Sequence, residues 1–303
     1  MARWPVVGRE RAVDVAAAQL RAGTGVALTG RPGMGKSAIA AEVAAGSSAP
    51  AVWLRPVSEL QGVPLGALAL LLGTGDLDPA RAASGLAELV GGGLLVVDDA
   101  HDLDGQSAAV VHQLATVQRL PLLITCTDGR VPPDAVTRLW KDGTVRRYEI
   151  GPLDAGGVAA MAAAVLGGTA DPALVDEVVA RTLGAPLYVR ELLLAARDNG
   201  AISWRDGRWR SDGRLALPAG LADVIGLRLD TLDPAARRVH DLVALVGAVS
   251  LDLVDESATA ELERRGLVVV DDLERPLVRA AHPFVAEVAA GAIPVAARRS
   301  LLR

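Results

Sequence analysis

Cysteine is almost missing from this sequence: Cys126 is the single one among 303 residues. An internal disulfide is therefore excluded. The place of Cys126 inside the apolar run "LPLLITC" (120–126) marks it as a small core residue. Lysine is nearly as scarce, with Lys36 and Lys141 the only two, so almost all positive charge is carried by arginine. Excess positive charge is lacking as well. The net charge of −5 gives no general attraction to nucleic acid or to an anionic membrane. Long apolar runs are missing too: the longest, "VPLGALALLLG" (63–73), is too short to cross a bilayer. The N-terminal "MARWPVVGRE" lacks the charged-then-apolar pattern of a signal peptide. These absences lead to the expectation of a soluble, cytoplasmic protein with no membrane partner.

What is present is a chain with enough apolar residues, 51%, for two or three domains with real cores. Over residues 25–150, short β-like runs alternate with Ala-rich helical segments. The runs are "GVALT" (25–29), "PAVWLR" (50–55), "GLLVVDD" (93–99), "LPLLITC" (120–126) and "TVRRYEI" (144–150). Near-continuous apolar strands separated by helices predict a parallel sheet covered on both faces, hence a three-layer α/β domain. After residue 153 the strand signal stops, and helices are expected over 154–166, 171–182 and 186–199. "AISWRDGRWR" (201–210) reads as a hairpin around Asp206-Gly207, with Trp204 and Trp209 packing across its strands. From 217 the pattern is helical again. "ELERRGLVVVDD" (261–272) then leaves a helix for a strand, and "PLVRAA" (276–281) supplies a second. Helices followed by a two-stranded wing suggest a winged-helix domain. The expected division is 1–152, 153–215 and 216–303.

The strongest chemical signal is "GRPGMGKS" (30–37), which fits the phosphate-binding loop G-x-x-x-x-G-K-[ST] between an apolar strand and a helix. Gly30, Gly33 and Gly35 permit turns that aim backbone N–H groups at phosphate oxygens. Arg31, Pro32 and Met34 complete the loop, and the helix running on through Ala38 adds its positive dipole end. Lys36 is expected to reach the β- and γ-phosphates from a solvated site, and Ser37 to ligate Mg²⁺. The acidic strand end "LLVVDDAHDLD" (94–104) offers Asp98 to the magnesium, usually through water. It offers Asp99 to orient or deprotonate an attacking water, making Asp99 and Lys36 the catalytic candidates. The alternative is that one of these acids caps the helix at 105. His101 either lines the site or merely occupies the loop. Upstream, "VVGRE" on its own is just a turn and a helix start, but ahead of a phosphate loop it makes Val7, Gly8 and Arg9 candidate adenine-side contacts.

"VVGRE", "GRPGMGKS", "LLVVDDAHDLD", "GAPLYVREL" and "RAAHPFVAEV" occur in this order, and together they closely resemble the N-terminal ATPase module of large LuxR-family transcriptional regulators. Those regulators belong to the signal-transduction ATPases with numerous domains, relatives of AAA+ P-loop proteins. The resemblance covers nearly the whole chain. It implies a sheet of order 5-1-4-3-2, a helical lid and a winged helix. It implies that Pro186, in "GAPL" (184–187), packs near the base or ribose, where the residues alone also allow a simple helix start. It implies that His282 contacts the β-phosphate of ADP, where the residues alone also allow a residue that just precedes the helix begun by Pro283. Relatives often carry an arginine at the end of the fourth strand, where this chain has Thr127. An uncharged hydroxyl cannot sense a γ-phosphate as a guanidinium does, and the spacing of nearby Arg130 argues against equal geometry. Slow hydrolysis is therefore expected. The sequence stops at "RRSLLR", where such regulators continue into helical repeats and a DNA-binding helix-turn-helix, so a fragment or truncated module is expected.

These features lead to the expectation of an ATP/ADP switch. ADP would hold three domains together, and ATP, prompted by an unknown inducer or regulatory protein, would open them and allow self-association. DNA would be reached only through a domain outside this chain, because the wing residues Asp271, Asp272 and Glu274 would repel phosphates. Two alternatives stand beside it: an AAA+-type ATPase turning over in a ring, and a nucleotide-dependent DNA-binding module.

Overall fold

The structure, a computed structural model, describes residues 6–73, 77–213, 215–271 and 274–302. The chain divides into two compact units, one ending at Gly151 and the other starting at Pro152.

The first unit begins with α1 (Glu10–Arg21) and then alternates strands and helices: β1 (Gly25–Gly30), α2 (Lys36–Ala45), β2 (Ala51–Leu54), α3 (Gly66–Leu72), α4 (Pro79–Val90), β3 (Leu94–Val97), α5 (Gly105–Val117), β4 (Leu122–Thr127), α6 (Asp134–Lys141) and β5 (Val145–Glu149). All strand pairings are parallel, in the order β2-β3-β4-β1-β5; read from the β5 edge this is 5-1-4-3-2. The apolar runs of β1, β3 and β4 become strands buried on both faces, as in a parallel sheet sheathed by helices, whereas the edge strand β5 leaves most of its residues exposed. β3 is buried at every position, and its Leu95 and Val97 share a core with Ile124 of β4 and Leu114 of α5. An Asp before the first turn starts several helices. Asp78 accepts the N–H groups of Ala80 and Arg81, with Pro79 at the first helical position.

The second unit holds α7 (Ala155–Leu166), α8 (Pro172–Thr182), α9 (Pro186–Asp198), a hairpin of β6 (Ile202–Arg205) and β7 (Arg208–Ser211), and α10 (Ala219–Asp230). It continues with α11 (Pro234–Val246), β8 (Ala248–Ser250), α12 (Glu256–Arg264), β9 (Val268–Val270), β10 (Leu277–Ala280), α13 (Pro283–Ala292) and α14 (Val295–Leu301). The hairpin turns at Asp206-Gly207, and Trp204 packs edge-on against Trp209, 5.8 Å between ring centroids. The strand β8 was not expected; it pairs antiparallel with β10, which also pairs with β9, giving the order β8-β10-β9. One apolar core runs from Leu153 and Val158 through Leu192 and Leu229 to Phe284 and Ala289. Its residues come from both 153–215 and 216–303. Of the wing acids, Asp271 lies 3.8 Å from Arg279, while Asp272 lies outside the described residues.

Candidate nucleotide site

The first unit gathers the loop 30–37 and the end of β3 at the C-terminal ends of its parallel strands. Gly30, Gly33 and Gly35 have φ of 150°, 78° and 86°, conformations that favour glycine. At Gly30 a Cβ would also lie 2.5 Å from the Ile150 carbonyl oxygen, so the loop can leave β1 only without a side chain there. Gly35 is the N-cap of α2, and its side makes no capping bond. The first turn of α2 therefore keeps N–H groups for an anion. Arg31 and Pro32 are exposed on the loop, Met34 is buried beneath it, and Ala38 is half-buried in α2.

Lys36 corrects one expectation. Its side chain is 6% exposed rather than extended into solvent, and Nζ donates to Gly30 O at 2.8 Å and Arg31 O at 3.0 Å. A buried ammonium needs hydrogen-bond acceptors, and these carbonyl oxygens supply them. Burial lowers its pKa below the usual lysine value, opposed by the negative charge of Asp99 and Asp128.

At the end of β3, Asp98 Oδ1 accepts from Ser37 Oγ at 2.7 Å and from Thr125 Oγ1 at 2.8 Å. Thr125 in turn accepts the Asp99 N–H at 2.8 Å. Thr125 belongs to this hydrogen-bonded group although the sequence did not single it out; its signal was a hydroxyl inside a buried apolar strand. Asp99 has φ +58°, and its side chain is 47% exposed. Burial and the neighbouring Asp98 raise its pKa, which strengthens it as a proton acceptor. Ser37 and Asp98 present hard oxygen donors from two elements, a set that fits Mg²⁺ held by few protein ligands alongside phosphates. Among the described residues no cluster of three or more His, Cys, Asp or Glu could form an all-protein metal cage. Cys126, buried below the loop, is inert: burial pushes its thiol up to about 12.

Several expected contacts have other partners here. Arg9 Nη2 donates to Gly151 O at 2.6 Å and to Met34 O at 3.3 Å, bracing the phosphate loop. Gly8, at φ +71°, donates its N–H to Glu10 Oε1, and Val7 is half-buried beside it. Arg130 is engaged by Asp102, Nη2 to Oδ1 2.9 Å, and Thr127 donates its N–H to His101 Nδ1 at 3.4 Å.

Pro186 and His282 belong to the second unit. Pro186 is the first residue of α9, behind Gly184 at φ +70°. His282 is the N-cap of α13: Nδ1 accepts the Phe284 N–H at 3.1 Å, so Nε2 carries the proton and donates to Thr182 O at 3.0 Å. The ring ties α13 to the end of α8, and a phosphate contact would have to replace the Thr182 bond.

No family model and no curated protein matches the chain. Among solved structures it is similar to a Walker-type ATPase of Pyrococcus abyssi, with TM-score 0.65 and 15% identity over 93% of this chain and 95% of that one. It is similar to the RuvB Holliday junction branch migration motor of Thermotoga maritima, with TM-score 0.52 and 16% identity over 89% and 90%. A signal-transduction ATPase with numerous domains and a tetratricopeptide repeat sensor, from Pyrococcus horikoshii, superposes at 0.46 with 15% identity over 98% and 44%, too loosely to carry weight. The first two show the fold: this chain has the fold of a P-loop ATPase. No helix among the described residues is long and apolar enough to cross a membrane.

Proposed function

We propose that the chain is the ATP- and ADP-binding switch module of a LuxR-type regulator, hydrolysing ATP slowly with Mg²⁺. The observation that carries this reading is the loop at 30–37, formed around a buried Lys36 ammonium that rests on its own loop carbonyls. A triphosphate offers better acceptors than those carbonyls. The loop N–H groups and the start of α2 would bind the phosphates, and Lys36 would exchange Gly30 O and Arg31 O for β- and γ-phosphate oxygens. Ser37 and Asp98 would hold Mg²⁺, which neutralises phosphate charge when bound. Asp99 orients a water and accepts its proton as the water oxygen bonds to the γ-phosphorus and the bond to the β-phosphate bridging oxygen breaks. Thr127 brings no charge to this place, and Arg130 is held by Asp102, which supports a slow rate.

The antiparallel sheet β8-β10-β9 with α10–α13 is read as a winged helix that serves as a clamp. In this reading His282 exchanges Thr182 O for the β-phosphate of ADP, and Pro186 lies toward the base or ribose. ATP favours opening and self-association, an inducer or regulatory protein sets the balance, and DNA is engaged by a separate domain.

The test is to denature the purified protein and identify the released nucleotide, then to titrate stripped protein with ATP and ADP by calorimetry. ADP is the expected nucleotide. Lys36→Ala is expected to weaken both by at least ten- to a hundredfold, the effect of losing a charge-assisted contact of about 1.5–3 kcal/mol. Equal affinity in variant and parent would discard the assignment.

A further inference from the structure

Among the buried polar side chains of this region, His101 is one to which the phosphate loop, Asp98 and Asp99 give no role. His101 lies in the 3-10 turn Ala100–Asp102 and is 6% exposed. Three groups converge on its ring. Nδ1 accepts the Thr127 N–H at 3.4 Å and stands 3.9 Å from Asp99 Oδ1, and Nε2 is 3.7 Å from Asp102 Oδ2. Its carbonyl accepts from Gln61 Nε2 at 2.8 Å, and Asp102 is held from the far side by Arg130. Thr127 is the residue paired across the sheet with Gly30, the first residue of the phosphate loop.

We infer that His101 is a positioning residue for hydrolysis: it sets the Asp99 carboxylate in register with the end of β4 beside the phosphate loop. The inference rests on the ATPase reading of this site. Asp99 lies at φ +58°, in the left-handed region that Asp adopts more readily than most side-chain-bearing residues, and contacts from two sides hold it there. Thr125 fixes its N–H, and the imidazole stands against its carboxylate. Because Nδ1 is already the acceptor for Thr127, a neutral ring carries its proton on Nε2, toward Asp102. It thus makes no hydrogen bond to Asp99; the ring edge at 3.9 Å limits where the carboxylate can turn by contact alone, and the carboxylate keeps its lone pairs for water. Burial lowers the histidine's pKa, favouring that neutral form, although Asp102 and Asp99 oppose the shift.

The experiment measures steady-state ATP hydrolysis by the full chain with Ala, Asn and Gln at position 101, together with melting temperature. His101→Ala is expected to lower kcat roughly ten- to a hundredfold, the cost of misplacing a reacting group by about an ångström, with KM for ATP unchanged. His101→Asn places an amide oxygen near the position of Nδ1, where it can still accept from Thr127, and is expected to restore most of kcat. His101→Gln puts its amide near the position of Nε2 instead and is expected to stay low. If the Ala variant does not fold, the contrast between Asn and Gln decides. Equal rates for Asn and Gln, or a rise in KM matching the loss in kcat, would overturn the inference. A parent that turns over ATP in a Lys36-dependent way but is indifferent to residue 101 overturns this inference alone. A parent that binds no ATP overturns the functional reading with it.

Discussion

Asp104 is 2% exposed, and its carboxylate starts two helices at once. As N-cap of α5 its Oδ1 accepts the N–H groups of Gln106 at 3.1 Å and Ser107 at 2.8 Å. The same oxygen accepts from Leu65 at 2.9 Å, and Oδ2 accepts from Ala67 at 3.1 Å, both at the start of α3. Asp104→Ala removes the cap of α5, worth about 1 kcal/mol. It also strands the buried Leu65 and Ala67 N–H groups, at about 1–3 kcal/mol each. Allowing for water entry at the vacated site, the expected loss is about 3–5 kcal/mol, among the larger single-residue effects. Asp104→Asn keeps the three bonds to Oδ1 but turns an NH₂ toward the Ala67 N–H. The expected loss there is about 1–2 kcal/mol. Native-state hydrogen exchange on the full chain resolves this without requiring the two units to unfold together. Protection should fall most at Leu65, Ala67, Gln106 and Ser107, in the order parent, Asn, Ala, while amides of the second unit remain at parent values. Unchanged protection at Leu65 and Ala67 in the Ala variant would refute the double cap.

Two further outcomes concern the second unit. Gly184→Ala is expected to destabilise it by about 3 kcal/mol or more, because φ is +70° and a Cβ would lie 2.1 Å from Leu153 O; urea unfolding followed by circular dichroism measures the loss, and a parent-like midpoint would contradict the geometry. His240 of α11 is wholly buried, neither ring nitrogen has a hydrogen-bond partner among the described residues, and burial with Arg237 lowers its pKa to about 4. The unfolded chain takes up a proton near pH 6.5 that the folded chain refuses until about pH 4, so stability is lost on acidification across that window, by about 3 kcal/mol at most. His240→Leu should flatten this part of the pH dependence, and identical acid slopes in variant and parent would count against it.

The central strands were legible because β1, β3 and β4 are buried on both faces, so each reads as an apolar run ended by a polar residue or a turn; the edge strand β5, mostly exposed, shows no such run. β8 was not, since three residues between Gly247 and Leu251 are too few to show alternation. The segment "VPLGALALLLG" shows why composition stops short. Its apolar residues announce burial, but the docking of α3 depends on Asp104, far along the chain. Side-chain direction was the least legible feature. "GKS" implies a lysine near phosphates, yet nothing in it shows that the same lysine donates to Gly30 O and Arg31 O. Arg9 likewise reads as a base contact in "VVGRE", while its observed carbonyl partners, Met34 and Gly151, lie remote in sequence.

The run Asp98 to Asp104 shows how one short stretch can hold several roles without their interfering. β3 ends at Val97, so Asp98 is fixed by the sheet and by Thr125. A positive φ at Asp99 then turns the backbone out of strand direction and leaves that carboxylate half-exposed. The following 3-10 turn buries Ala100 and His101, and buried Leu103 anchors its exit. Asp104 then closes the stretch as the cap of α5. Strain at Asp99 is tolerated because bonds before and after it over-determine its place. A glycine there would relieve the strain but supply no carboxylate, whereas Gly30, which adopts positive φ against a carbonyl, carries no side-chain role and can be glycine. The two positions therefore separate cleanly by chemistry: backbone freedom goes to glycine where only N–H groups are used, and an enforced conformation remains where a carboxylate is required.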